Sequence, residues 1–264
     1  MLKSLYTTAT GMKAQQTMVD MIANNIANVN TAGFKKSQAS FEDLFYVTLQ
    51  SPGLAKGAGE AAVPIGTQIG SGTRLNGTTK VFTTGTLEIT ERNLDVAIDG
   101  EGFFAVTLPD GSTGYTRDGA FQVNADGKLV TGSGNTLLPE ITVPTDMLEI
   151  AIDPEGRVNV RTAGNPDSST LLGQLNLHRF VNPSGMIAVG ANVMRPTEAS
   201  GAPITNTPGS TGLGLLKQGF IERSNVQIVN ELVNLIVAQR AYEVNSRAIQ
   251  ASDQMLSTAT NLSR

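Results

Sequence analysis

Residues 224–262 read SNVQIVNELVNLIVAQRAYEVNSRAIQASDQMLSTATNL, and the rest of the chain is organised around this stretch. No glycine follows Gly219 and no proline follows Pro208, so nothing asks the backbone to leave the helical basin. Ser224 with Gln227 three residues later reads as a capping box and predicts a helix starting there. Along it Ile228, Leu232, Leu235, Tyr242, Ile249 and Leu256 keep helical spacing. Val233, Val237, Val244, Ala248, Ala251, Met255 and Leu262 keep it on a neighbouring stripe, and Ile236 adds to the same apolar surface. Two stripes require two partners. At 1.5 Å per residue the helix would run about 60 Å, longer than a compact domain of this chain covers alone.

The other end of the chain has a matching pattern. Leu2, Leu5, Ala9, Met12, Val19, Ala23 and Ile26 fall at a/d spacing with Gln16 as the one polar member, and Met18, Met21 and Ile22 widen the face. This second helix should stop near Asn28, because Asn24, Asn25, Asn28 and Asn30 favour caps and turns and Gly33 supplies a left-handed exit. Residues 51–73 are rich in Gly, Ala and Pro with little charge, too apolar for a free solvated linker. They are expected to form an extended connector lying against a neighbour.

From Arg74 to Phe220 the period becomes two. Leu94, Val96 and Ile98 alternate, as do Phe104 and Val106, Phe121 and Val123, Leu148 and Ile150, Val158 and Val160, and Leu175 and Leu177. Asp99-Gly100, Asp110-Gly111, Asp118-Gly119 and Asp126-Gly127 punctuate these strands with turn dipeptides. The expected class is therefore α+β. Long N- and C-terminal helices pair as a coiled-coil-like stalk, and an antiparallel all-β domain is inserted between them. The expected divisions are an N-terminal assembly helix at 1–33, a connector at 34–73, the β domain at 74–221 and a C-terminal assembly helix at 222–264. The assembly surface is expected to comprise Leu2, Leu5, Met12, Val19, Ile22, Ile26, Ile228, Leu232, Leu235, Ile236, Tyr242, Ile249 and Leu256.

Composition narrows the chemistry. The 264 residues carry a net charge of −4, which gives no basic surplus for nucleic acid or anionic lipid. Absence of cysteine removes disulfides, thiolate metal sites and thiol nucleophiles. No run approaches eighteen apolar residues, and polar residues interrupt the N-terminus, so neither membrane insertion nor a cleaved signal is expected. A calcium-loop reading of Gln122, Asn124, Asp126, Gly127 and Ser133 lacks two required carboxylates, and turn chemistry accounts for it better. The glycines at 57–62 have no strand before them and no helix after, as a dinucleotide fingerprint would need. The single histidine, His178, sits on a strand without a positioned partner. No catalytic set, cofactor or metal site is expected. An oligomeric enzyme or carbohydrate-binding module on the β domain remains the rival reading, and it would need a concave site with convergent polar groups.

Three motifs, in order across nearly the whole chain, resemble the bacterial flagellar rod and hook proteins. The first runs Asn24-Asn25-Ile26-Ala27-Asn28-Val29-Asn30-Thr31-Ala32-Gly33-Phe34-Lys35. The second joins residues 94–104, with Asp95, Gly100, Gly102, Phe103 and Phe104, to Tyr115-Thr116-Arg117-Asp118-Gly119-Ala120-Phe121. The third comprises Ser224-Asn225-Val226 and Gln239-Arg240-Ala241-Tyr242-Glu243. Phe41–Tyr46, Gln50–Gly53 and Gly66–Gly72 resemble a rod member, whose length fits better than that of the much longer hook protein. The resemblance implies a structural subunit of the basal-body rod in the periplasm, exported by the flagellar type III apparatus. Its partners would be other copies of itself, adjacent rod and hook subunits and the surrounding ring proteins. Another axial position in the flagellum stays open on these residues alone.

Overall fold

The computed structural model describes residues 2–52 and 65–262. The connector residues 53–64, which include the glycine pattern at 57–62, lie outside the described residues, as does the side chain of Leu2. Helix α1 spans Leu2–Ala27 and ends where the asparagines predict. Helix α2 spans Ile228–Leu262; its 35 residues make a rod of about 52 Å at 1.5 Å per residue. It starts four residues later than the capping-box reading of Ser224 predicts. The physical reason lies upstream, where Phe220–Glu222 pairs with Leu87–Ile89 as a strand. Asn225 then donates to Val81 O at 2.7 Å, so residues 223–227 are held outside the helix, and the Ser224 hydroxyl accepts from Val226 N.

The chain divides into two compact units. One gathers residues 1–26, 37–79 and 228–264, and so contains both helices. Its strands are a Ser37–Asp43 and Thr73–Lys80 ladder and a Tyr46–Gln50 and Thr67–Gly70 hairpin. Asn25, buried near the end of α1, both donates to Ser37 O and accepts from Ser37 N at 2.9 Å, which turns the chain from helix into ladder. Lys3 donates to Ile69 O at 2.8 Å and Thr73 N donates to the Thr10 hydroxyl, so the strands lie along α1. Gly11 of α1 faces the Asn245 side chain of α2, while Gln16 and Val19 share a shallow hollow with Gln239, Tyr242 and Glu243. Rising numbers on α1 thus meet falling numbers on α2.

The other unit comprises residues 27–36 and 80–227. Its seven-stranded sheet runs, in spatial order, Ile187–Gly190, Val193–Arg195, Thr113–Thr116, Phe104–Thr107, Thr136–Leu138, Leu129–Thr131 and Phe121–Val123. A three-stranded sheet adds Met147–Ile152, Arg157–Thr162 and Asn165–Gln174. The registers are antiparallel. Alternation sends the consecutive residues Phe103 and Phe104 to different cores. Phe104 joins Val96, Ile98, Val106, Phe121, Val158 and Val160, whereas Phe103 joins Tyr115, Phe180, Met186 and Met194.

Candidate functional site: a buried ion junction

The segment leaving α1 and the segment approaching α2 meet in the β unit, and their meeting is fixed by charge. Gly33 adopts φ +67°, and a Cβ there would lie 2.6 Å from Asp118 N, so only glycine lets this turn rest on the backbone of Arg117 and Asp118. Its N–H donates to Glu222 O at 2.8 Å. Two residues on, the Lys35 ammonium reaches the Glu222 carboxylate at 2.6 Å and also donates to Thr83 O at 2.7 Å. Arg117 donates through Nη1 to both Glu222 oxygens at 3.2 Å, through Nε to Gly102 O at 2.9 Å, and through Nη2 to Gly100 O. Gly85 N completes the carboxylate's shell at 2.7 Å.

All three charged residues are buried, at 2% exposure for Lys35, 3% for Arg117 and 1% for Glu222. Two cations therefore share one anion. Burial pulls the Lys35 ammonium below its ordinary value against the pull of Glu222, and Arg117 adds repulsion. Burial likewise lowers the Arg117 guanidinium, opposed by Glu222 and Glu101. Such a junction is held by completeness, since each charge is hydrogen-bonded and losing one member strands the others. Asn225 extends it by accepting from Lys36 N at 2.8 Å and donating to Val81 O and Thr83, while Asn192 donates to Ala32 O at 2.9 Å. The charged heads are taken up by each other and by backbone groups. The arrangement fastens chain segments; it presents no group poised to attack or to take a proton.

The sequence motifs converge here from distant parts of the chain. Gly33, Gly100, Gly102, Arg117 and Asp118 build the junction, Phe103 lies beneath the Arg117 guanidinium at 5.5 Å, and Phe34 lies under the Lys80 ammonium at 5.0 Å. Gly119 O accepts from Val96 N, and Asp95 is buried nearby with an Oδ1 that makes no hydrogen bond, although Arg92 stands 3.7 Å away. Burial, with Asp95 adding, pushes the Asp118 carboxyl above the usual range. Asn24, Gln239, Arg240 and Tyr242 lie elsewhere, on the helices, and Asn28 lies in the turn that follows α1. Glu222, the anion that organises everything, sits outside the motifs; sequence reading gives it only as the start of the last helix. His178 bonds Thr205 through Nδ1 at 2.9 Å and packs edge-on to Tyr115, and burial lowers its pKa. Asn124 accepts from Asp126 N and Lys128 N, the turn chemistry expected of an Asp-Gly pair.

Of the expected assembly residues, Leu5, Met12, Val19, Ile26, Leu235, Ile249 and Leu256 are half-buried and Ile22 is covered by its own chain. Ile228, Leu232, Ile236 and Tyr242 are exposed, together with Val229, Val233, Val237 and Val244. The buried line of α2 runs instead through Glu231, Ala238 and Ser252.

Three family profiles cover most of this architecture. Residues 5–35 match the flagella basal body rod protein family, 97–160 the flagellar hook protein FlgE/F/G D1 domain and 217–262 the flagellar basal body rod FlgEFG protein C-terminal region. The chain is 48% identical over 262 residues to the flagellar basal-body rod protein FlgG of Buchnera aphidicola subsp. Acyrthosiphon pisum, covering 99% of this chain and 100% of the relative. The chain belongs to the flagellar basal-body rod protein family. FlgG of Borreliella burgdorferi is 47% identical, and FlgG of Bacillus subtilis 40%, each with full coverage of both chains. This rod-family chain is a structural subunit of the flagellar basal body and not an enzyme. Among the described residues, no helix is long and apolar enough to cross a membrane.

Proposed function

We propose that this rod subunit polymerises head to tail into the distal part of the rod, a hollow shaft across the periplasm that carries motor torque to the hook. A contact whose rotation does not close generates a helical tube. In this reading α1 and α2 of one copy pair along part of their length as a coiled-coil-like stalk, and their outer stripes dock on neighbours. Residues 34–73 form a further contact between copies. Adjacent rod and hook subunits and the surrounding ring proteins are the remaining partners, and the flagellar type III apparatus exports the chain. The buried junction then holds the segments next to each stalk helix to the β unit, so that force on the helices reaches the β unit through a fixed point.

One observation carries the proposal. Ile228, Val229, Leu232, Val233, Ile236 and Val237 expose between 45% and 73% of their surface along nearly three turns of α2. Contiguous apolar surface of this kind marks an interaction site. Deleting the last twenty residues should abolish polymers seen by electron microscopy while the β unit keeps its strand signal in circular dichroism. Normal polymers from that variant would end the proposal.

A further inference from the structure

A hollow of about 330 Å³ opens on the β unit beside the ion junction. Its floor is aromatic, built from Phe103 and Phe180, both buried, with Phe82 edge-on to Phe103 at 5.5 Å. Its rim holds Val181, which is 80% exposed, with Glu101 and Arg179. Glu101 acts on the charge of Arg117. Arg179 makes no ion pair among the described residues. The rim therefore offers the Arg179 guanidinium, with no ion pair of its own among the described residues, above an apolar floor.

The helical unit carries a fitting counterpart. Phe45, at the turn between Ser37–Asp43 and Tyr46–Gln50, is 91% exposed, so nothing among the described residues covers it. Asp43 precedes it by two residues. A free phenyl ring prefers an edge-to-face partner within an aromatic cluster, and interface anchors are typically single aromatics filling such pockets. We propose that Phe45 of one copy inserts into this hollow on a second copy, with the Asp43 carboxylate facing Arg179. The inference rests on the polymerisation reading and names one contact within it.

The test uses full-length chain carrying p-benzoylphenylalanine at position 45, which keeps an aromatic ring there, mixed with isotopically heavy unaltered chain and allowed to polymerise. Irradiation should join light position 45 to heavy residues 82, 103 or 179–183, read by mass spectrometry. Cross-links to any other surface, or none in polymers visible by electron microscopy, overturn the contact and leave the polymerisation reading standing. Failure of the unaltered chain to polymerise at all sinks both. As a second arm, Arg179→Glu should raise the concentration needed for polymers at least tenfold, and adding Asp43→Arg should restore it. An unchanged threshold in Arg179→Glu, or no rescue by the double variant, contradicts the charge pairing.

Discussion

The two units differ in how much apolar surface they close over. The β unit closes a large apolar core, with Val158, Leu137 and Leu177 at 0% exposure while Leu148 and Val181 stay outside, and it encloses the three charges of the junction because it supplies each with a partner. The helical unit closes over much less, with Ala14 and Ile22 of α1 among its buried apolar residues. On α2 it buries Glu231, Ala238 and Ser252 and leaves Val229 at 73% exposure and Val237 at 61%. A unit with a closed apolar core and a partnered charge junction holds its fold as a single copy. One that leaves aliphatic residues at helical spacing outside is built to be covered by something else.

The contrast can be broken most severely at Glu222. Replacing it with Ala leaves Lys35 and Arg117 buried without the anion they share, and the β unit should lose about 3–5 kcal/mol of stability in denaturant titration. Removing Arg240 from its exposed pair with Glu243 is the control, with an expected change below about 1 kcal/mol. Next in size is Gly85→Ala. Its Cβ would lie 1.9 Å from Arg223 O, so the segment between the strand Phe220–Glu222 and α2 must shift, at a cost of about 1–3 kcal/mol in the same titration.

Asp118→Asn should act in the other direction. The folded-state pKa of Asp118 is raised by burial and by Asp95, so ionisation is less favourable in the folded chain than in the unfolded one. The folded state is favoured most below the unfolded value, and that advantage is lost as pH rises through the higher folded value. The Asn variant should therefore melt higher than the parent at neutral pH, with a flatter dependence of melting temperature on pH above the ordinary carboxylate range. Equal slopes in the two proteins would contradict the assignment. The smallest effect on stability belongs to the helical unit: Val233→Ser with Val237→Ser should change monomer stability by no more than about 0.5 kcal/mol. The same pair should prevent polymerisation in light scattering.

The β unit was legible because local pattern and burial agree. Val158 and Val160 alternate in the sequence and are both buried in the structure, and Asp126-Gly127 predicts a turn that occurs, with Gly127 at φ +79°. The strands at 37–50 and 67–70 escaped because Tyr46, Val47, Thr48 and Leu49 are all exposed, so no period-two signal distinguishes a core face. The junction escaped in part for a different reason. Lys35 stands inside a recognisable motif, but its partner lies 187 residues away, and a glutamate followed by a helical pattern gives no hint of burial. The start of α2 was misplaced for the same cause, since strand pairing at Glu222 with Leu87 overrides a local capping signal.

The measurement that bears most directly on this account is hydrogen–deuterium exchange on dilute single chains and on polymers, resolved by peptide. Amides of the β unit, such as those of 104–107 and 157–162, should be strongly protected in both, whereas those of 228–244 should exchange quickly in the single chain and slow at least tenfold on assembly. Equal, strong protection of 228–244 in the dilute chain would show that α2 is complete without neighbours, and the contrast between the two units would fall.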